Sequence, residues 1–129
     1  MRDLVHNLGV ALALSPAVQS ATIKGNAIDL QGYESVMFIL NSGAIASSGN
    51  FTVKVQESDT TTDGDFTDAA ASAVIGSSLV DPVTADGSFK VGYIGFKRYV
   101  RIVATKNSGT SIALGAVAVL GRAHSKPVS

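Results

Sequence analysis

Short apolar segments recur along this chain at intervals of about ten residues, and clusters of Gly, Asn, Asp and Ser separate them. Residues 51–56 alternate apolar and polar side chains, which indicates a strand with one face in water. Residues 35–40, SVMFIL, form a continuous apolar run, which predicts a central strand buried on both faces. The other predicted strands cover residues 22–24, 27–30, 88–94, 99–105 and 111–120. Together these patterns predict an all-β fold, an antiparallel β-sandwich or jelly-roll-like single domain with an extended N-terminal arm.

A length of 129 residues fits one domain. We predict an N-terminal arm or first strand over residues 1–20, the β-sandwich over residues 21–122 and a C-terminal tail over residues 123–129. The first segment mixes helical and alternating apolar spacings, so two interpretations stay open. In one interpretation, the segment is an arm that lies on its own domain or on a neighbour. In the other, it is a first strand that ends at Pro16. Its apolar run from Leu8 to Leu14 is too short for a transmembrane helix, which needs about 20 residues.

Residues 68–79, DAAASAVIGSSL, fit the strand pattern less clearly. Their alanines favour a helical turn, because alanine has the highest helix propensity. Gly76 and the serines favour a strand or a loop instead.

The acidic loop over residues 59–68 carries closely spaced carboxylates, which are the ligands that calcium prefers. It lacks the ligand spacing of an EF-hand loop. We therefore predict a hairpin loop without a metal ion, in which Asp59 and Asp63 stabilise the turn through their side chains.

The composition argues against an enzyme. The chain has no Cys and only two His, at positions 6 and 124, near its opposite ends. Thiolate catalysis, disulfides and the usual zinc and iron–sulfur sites are thereby excluded, and a histidine-based active site is not expected. The sequence contains no glycine-rich phosphate loop and no nucleophile elbow. We predict no catalytic residue, no metal ligand and no cofactor.

The charges of the chain are balanced overall but divided along its length. All ten acidic residues precede Gly87, where only three basic residues oppose them, giving −7. Seven basic residues and no acidic one follow, giving +7. Two interpretations of this division stay open. In the first, strands of the two segments interleave in one sheet, so that opposite charges pair across strands. In the second, the protein has a polarised surface that guides docking.

Residues 97–101, KRYVR, mix basic residues with an aromatic one, as nucleic-acid-binding segments do. On a strand, however, Lys97, Tyr99 and Arg101 lie on one face and Arg98 lies on the other. No global positive charge supports phosphate binding, because ten basic residues balance ten acidic ones. We predict an exposed strand face whose arginines pair with carboxylates, and no nucleic-acid partner.

Five phrases of the sequence read together as a series. They are MRDL at residues 1–4, DLQGYE at 29–34, VKVQESD at 53–59, FTD at 66–68 and VGYIGFKRYVR at 91–101. The series resembles small proteins encoded near the major capsid gene of many tailed phages and prophages, and the resemblance runs from Met1 to about Leu120. It implies a virion structural protein, first of all a capsid decoration or cement protein that bridges major capsid subunits. It also implies a location in the phage head, and in the host cytoplasm during assembly.

The implied partners are the major capsid protein and the chain itself, as a homodimer or homotrimer, without nucleic acid or membrane. We predict contacts to capsid or sister subunits from eight residues: Leu4, Val5, Leu8, Val10, Leu12, Lys97, Arg98 and Arg101. Two alternative functions remain. A head–tail connector would form rings, which the opposite charges of the two segments suit. A head-fibre or tail module that binds the host would share the β fold and should expose aromatic residues on one rim.

Overall fold

The computed structural model describes residues 3–69, 73–76 and 86–123. Within them the chain is all-β, which confirms the predicted fold class, and a short 3-10 helix covers Asp63–Asp65. The strands are β1 Gly9–Gln19, β2 Ile23–Lys24, β3 Ile28–Asp29, β4 Tyr33–Ala46, β5 Asn50–Ser58, β6 Thr67–Asp68, β7 Val74–Gly76, β8 Ser88–Tyr93, β9 Tyr99–Ser108 and β10 Ser111–Ala123. In the described part of the chain, no helix is long and apolar enough to span a membrane.

The strands form two antiparallel sheets that pack as a sandwich. Sheet A has the order β1-β10-β4-β8-β7, and sheet B has the order β2-β9-β5-β6, with β3 also paired to β9. Burial in β5 alternates from Phe51 to Val55, as its sequence pattern predicted. The largest fully buried side chains come from both sheets and are Phe38, Phe51, Leu40, Ile102, Ile112, Val53, Val91 and Val100.

The prediction that residues 35–40 are buried on both faces is wrong. They belong to β4, in which burial alternates. The buried side chains are Val36, Phe38 and Leu40, and the half-buried ones on the opposite face are Met37 and Ile39. Sheet B covers only the inner face of sheet A, so an unbroken apolar run here produces one buried face and one apolar outer face. β4 also continues to Ala46, although the Asn, Ser and Gly residues that follow Leu40 are of the types expected to separate strands.

The extended N-terminal arm is not confirmed. Residues 9–19 form β1, which pairs with β10 at the edge of sheet A. Ala13 and Leu14 are buried in the core, which an arm on the surface would not allow. The strand also continues past Pro16. Proline has no N–H to donate to the ladder, and the register shifts at this point leave it without a regular ladder position. Gly115 leaves room for the proline, since a Cβ atom at residue 115 would stand 2.9 Å from Cα of Pro16.

Parts of two predicted segments lie outside the described residues. Within residues 68–79, Val74–Gly76 form β7, so the strand alternative holds there, whereas residues 70–72 and 77–79 are not described. Of the predicted C-terminal tail, Ala123 is the last residue of β10, and residues 124–129 are not described.

Candidate interaction surface

The outer face of sheet A, which points away from sheet B, carries two rows of apolar side chains. Residues that stand opposite each other in a ladder share one face of the sheet. One row runs through Val10, Val119, Met37 and Gly92, and the next runs through Leu12, Val117, Ile39 and Lys90. We call the six large apolar side chains of these rows the apolar face: Val10, Leu12, Met37, Ile39, Val117 and Val119.

The apolar face is most exposed along β1. Val10 is 71% exposed and Leu12 is 48% exposed, whereas the four members on β4 and β10 are half-buried by their neighbours. Lys90 is the charged residue at the end of the second row. Contiguous exposed apolar surface of this kind marks interaction sites in soluble proteins. Four members of the apolar face were not predicted as contact residues, because an apolar run has the same appearance when one face or both faces are buried. They are Met37, Ile39, Val117 and Val119.

The residues before β1 extend the apolar face at one end. Leu8 lies over Gly121 of β10, where its Cδ2 atom is 3.5 Å from the position that a Cβ atom would take. The N–H of Leu8 donates to the carbonyl oxygen of Leu4 at 3.0 Å, which closes a turn. Leu4 and Val5 in this turn are exposed. The predicted contact residues of the N-terminal segment therefore stand on the apolar face or in the turn that precedes it.

A shallow groove of about 450 Å³ adjoins the apolar face between β1 and β4. Its floor is formed by small and apolar residues of β10, from Ala113 to Val117. Pro16 and Val18 stand on the β1 side of the groove, and Gly43 stands on the β4 side. The groove forms a depression in the surface beside the apolar face.

The outer face of sheet B has the opposite character. It carries charged and polar side chains, among them Lys24, Thr52, Lys54, Gln56, Arg101 and Thr105. Lys24 pairs with Asp63 at 2.9 Å, and Lys54 pairs with Asp68 at 3.1 Å. The sandwich therefore has one apolar outer face and one charged outer face, a difference that the division of charge along the sequence does not show.

The two oppositely charged segments of the sequence meet within the chain. Three ion pairs join them: Lys97 with Asp59 at 2.9 Å, Arg98 with Asp29 at 2.9 Å and Arg101 with Asp63 at 2.6 Å. The Arg98 hydrogen bonds lower the pKa of the Asp29 carboxyl, and the Asp59 carboxylate raises the pKa of Lys97. These pairs support the interpretation that strands of the two segments interleave. Charge asymmetry alone thus gives little support to a head-to-tail ring.

Arg101 differs from the other predicted basic contact residues because it is only 6% exposed. Its Nε and Nη2 atoms donate to Oε1 of Gln56 at 2.9 and 2.8 Å, and Nη1 donates to Asp63 at 2.6 Å. The guanidinium also lies 4.1 Å from the centre of the Phe66 ring. These contacts attach the acidic loop to sheet B. Lys97 and Arg98 are exposed at the surface, and the contact of all three with another subunit stays a prediction.

A second groove, which we call the rim groove, opens at one end of the sandwich beside residues 94–98. It has a volume of about 870 Å³. Phe96 in its wall is fully exposed, and Ile94 is more than half exposed. Neither residue was predicted from the sequence as a contact residue, although an aromatic side chain close to a glycine was an available signal. Tyr33 also lines the rim groove and its hydroxyl lies against Gly9, so the groove and the start of β1 share one end of the sandwich.

The carboxylates of the acidic loop bind groups of the chain itself. Asp63 accepts hydrogen bonds from Lys24 and Arg101, which lower its pKa, and Asp65 accepts one from the hydroxyl of Thr60 at 2.7 Å. In residues 3–69, 73–76 and 86–123 no group of three or more His, Asp or Glu stands close enough together to hold a metal ion.

The solved structures that match this chain include the two described below. No family model and no curated protein sequence matches the chain. A crystal structure of PirA matches with a TM-score of 0.43 and 13% identity, over 95% of this chain and 99% of that chain. A structure of infectious bursal disease virus, Gx strain, matches with a TM-score of 0.49 and 15% identity, over 93% of this chain and 33% of that one. This chain thus spans a third of the length of the viral chain, and neither likeness assigns a function.

Proposed function

We propose that this protein is a structural component of a phage particle that binds the head shell as a decoration or cement protein. The apolar face carries the proposal, because it is a broad apolar surface on a sandwich whose other outer face is charged. The resemblance of the five sequence phrases to small proteins encoded near major capsid genes supports the same role. The partner is the major capsid protein. The protein is in the host cytoplasm during assembly of the particle and in the phage head afterwards.

Burial of the apolar face supplies the attraction to the shell. Apolar surface removed from water contributes about 25 cal/mol per Å². An interface of ordinary size buries about 800 Å² on each partner. Lost translational freedom and the ordering of side chains oppose binding, so a single contact has moderate affinity. A copy that spans two capsid subunits gains its second contact at high effective concentration.

Bound copies stabilise the shell by mass action. A protein that binds only the assembled shell shifts the equilibrium away from open or dissociated capsid subunits. The contribution per copy is small, but it is repeated over all equivalent sites of the shell. This mechanism needs a rigid platform and adhesion, and the proposal includes no catalytic step and no cofactor.

Two variants with the same substitution at different places test the proposal. Ile39→Lys introduces a charge in the middle of the apolar face, on a side chain that points away from the core. Ile94→Lys introduces the same charge beside the rim groove. We expect Ile39→Lys to reduce the number of copies bound per head shell at least tenfold at a fixed concentration, and Ile94→Lys to bind like the unchanged protein.

Electron microscopy of head shells from the parent phage, incubated with each variant, counts and locates the bound copies. Circular dichroism and thermal unfolding establish that both variants are folded. Equal shell binding by the unchanged protein and Ile39→Lys contradicts the proposal. A loss that occurs with Ile94→Lys alone also contradicts it, because the contact would then lie at the rim groove.

A second candidate function is recognition of the host surface through the rim groove. The fully exposed Phe96 favours it, since an aromatic ring beside a groove with polar groups is a common feature of ligand sites. Phe96→Ala would then abolish binding of the protein to host cells and leave shell binding unchanged. Cell-binding measurements with labelled protein distinguish this function from the first.

A further inference from the structure

β1 is the edge strand with the most backbone open to a partner. Within the part of the chain that the structure describes, it lies at one edge of sheet A and pairs with β10 on one side only. It has eleven residues and no charged side chain. The other edge strands of the described residues are short, with three residues in β7 and two each in β2, β3 and β6. A long uncharged edge is a template for pairing with another strand.

The N–H and C=O groups of Val10 point toward this open edge. The carbonyl oxygen of Leu12 accepts a hydrogen bond from Nδ2 of Asn26 at 3.0 Å, so it faces away from β10. In a strand, the backbone groups of residues two positions apart point to the same side. The backbone groups of Val10 therefore also face away from β10.

The hydrogen bonds of β4 with its neighbours also indicate that the backbone groups of Val10 face away from β10. Ser42 donates its N–H to Gly87 at 2.9 Å, on the β8 side of β4. The ladder of β4 with β10 is regular from Ser42 to Met37, so Met37 directs its backbone groups to Val119. Val119 then has none left for Val10 on its other side. Outside the strand ladders, no backbone hydrogen bond within the described residues reaches the N–H or C=O of Val10.

The remainder of β1 is protected against strand pairing. Pro16 and two register shifts disrupt its second half. Asn26 covers residues 12 and 13 of β1. Its N–H donates to the carbonyl oxygen of Ala13 at 2.8 Å, and its side chain donates to the carbonyl oxygen of Leu12. Among the described residues, no side chain of this kind covers residues 9–11, which also have no bulge, no proline and no charge.

We propose that Val10 pairs with Val10 of a second copy of this chain, in antiparallel register across a twofold axis. Each Val10 N–H donates to the Val10 carbonyl of the other copy, which satisfies all four groups. An antiparallel edge pair uses the same surface on both copies, and β1 has no charge that would repel its own copy. The row of Met37, Val119 and Val10 then continues into the same row of the second copy. The dimer presents one doubled apolar face.

A cross-linking experiment tests this geometry, because the chain has no cysteine of its own. In the proposed pair the two Cα atoms of residue 10 stand about 5.5 Å apart, which a disulfide can bridge. Val18 is the matched control, since it is on the same strand and is 69% exposed against 71% for Val10. Two copies of Val18 would stand about 50 Å apart. We expect Val10→Cys to form a covalent dimer under mild oxidation and Val18→Cys to form none.

A second pair of variants tests the backbone hydrogen bonds. Val10→Pro removes an N–H that does not bond to β10, and proline is tolerated at such edge positions. Val10→Thr keeps the N–H and the branched side chain. We expect Val10→Pro to raise the dimer dissociation constant at least tenfold, and Val10→Thr to leave it within about twofold, by sedimentation of the full chain. Circular dichroism establishes that both variants are folded.

Three results overturn the proposal. They are an unchanged protein that sediments as a monomer of 13.2 kDa, equal cross-linking of Val10→Cys and Val18→Cys, and dimerisation of Val10→Pro as tight as that of Val10→Thr. Ile39→Lys leaves the edge of β1 intact, so it separates the two proposals. It is expected to lose shell binding and to keep the dimer.

Discussion

The hydroxyl of Tyr93 donates a hydrogen bond of 2.6 Å to Oε1 of Glu57, and this bond connects β8 of sheet A with β5 of sheet B. The same hydroxyl oxygen accepts the N–H of Lys97 at 3.1 Å. Tyr93 is buried, and burial together with the nearby Glu57 carboxylate raises the pKa of Tyr93 to about 12. A single side chain thus joins the two sheets and fixes the loop that carries the rim groove.

The pKa of Tyr93 predicts a loss of stability in alkali. The folded phenol stays neutral up to about pH 12, whereas an unfolded chain ionises at its ordinary pKa of 10.0. The stabilising contribution of Tyr93 is therefore complete below pH 10.0 and is lost as the pH rises from there to about 12. Tyr93→Phe should lower the free energy of unfolding at neutral pH by about 1–2 kcal/mol and remove this part of the alkaline loss.

Urea unfolding at neutral pH and between pH 10 and 12 measures both effects. Tyr99→Phe is the matched control, because Tyr99 is half-buried and its hydroxyl takes no part in the bond between Tyr93 and Glu57. It should keep the alkaline loss of the unchanged protein, which also corrects for the titration of lysines. Identical pH profiles for the Tyr93 variant and the unchanged protein would show that the bond to Glu57 does not stabilise the fold.

The strands of this protein could be predicted from local patterns because turn residues separate them and β5 alternates regularly. Their order could not. β1 pairs with β10, which is almost the whole length of the sequence away, and β4 lies between β10 and β8. Such pairings depend on contacts between distant segments, which alternation within one segment does not encode. For the same reason the sequence left open whether the N-terminal segment was an arm or a strand.

The candidate site was predicted in part. The apolar residues of the N-terminal segment were selected from their spacing, and the structure places Val10 and Leu12 on the apolar face. Met37 and Ile39 were assigned to the core, because a hydrophobic residue on an uncovered sheet face has the same sequence signal as a buried one. Arg101 was selected for its charge, and only the fold shows that Gln56 and Asp63 bind it.

The burial of Arg101 predicts an effect on folding that Arg98 does not share. Arg101→Ala removes hydrogen bonds to Gln56 and Asp63 and the contact with the Phe66 ring, and it should lower the free energy of unfolding by about 2–3 kcal/mol. Arg98→Ala removes an exposed pair with Asp29 and should cause a smaller loss. Urea unfolding of the two variants measures the difference. If Arg98→Ala destabilises the protein as much as Arg101→Ala, the distinction between a buried anchor and an exposed pair is wrong.

Two N-terminal deletions separate binding from folding. Removal of residues 1–7 takes away the exposed Leu4 and Val5 and leaves β1 complete, so the sandwich should unfold at the same urea concentration. Shell binding should weaken severalfold, because Leu4 and Val5 contribute apolar surface beside the apolar face. Unchanged shell binding would exclude the two residues from the interface.

Removal of residues 1–14 should instead destabilise the fold. It takes away the buried Ala13 and Leu14 and the pairing of β1 with β10. A Leu-to-Ala change at a buried site costs about 2–5 kcal/mol, and the loss of half a strand costs more. A true arm could be removed to this point without harm, so urea unfolding of the two deletions decides between an arm and a strand. Equal stability of both deletions would mean that the removed part of β1, residues 9–14, adds nothing to the core. A loss of shell binding with the longer deletion would then be assigned to the apolar face alone.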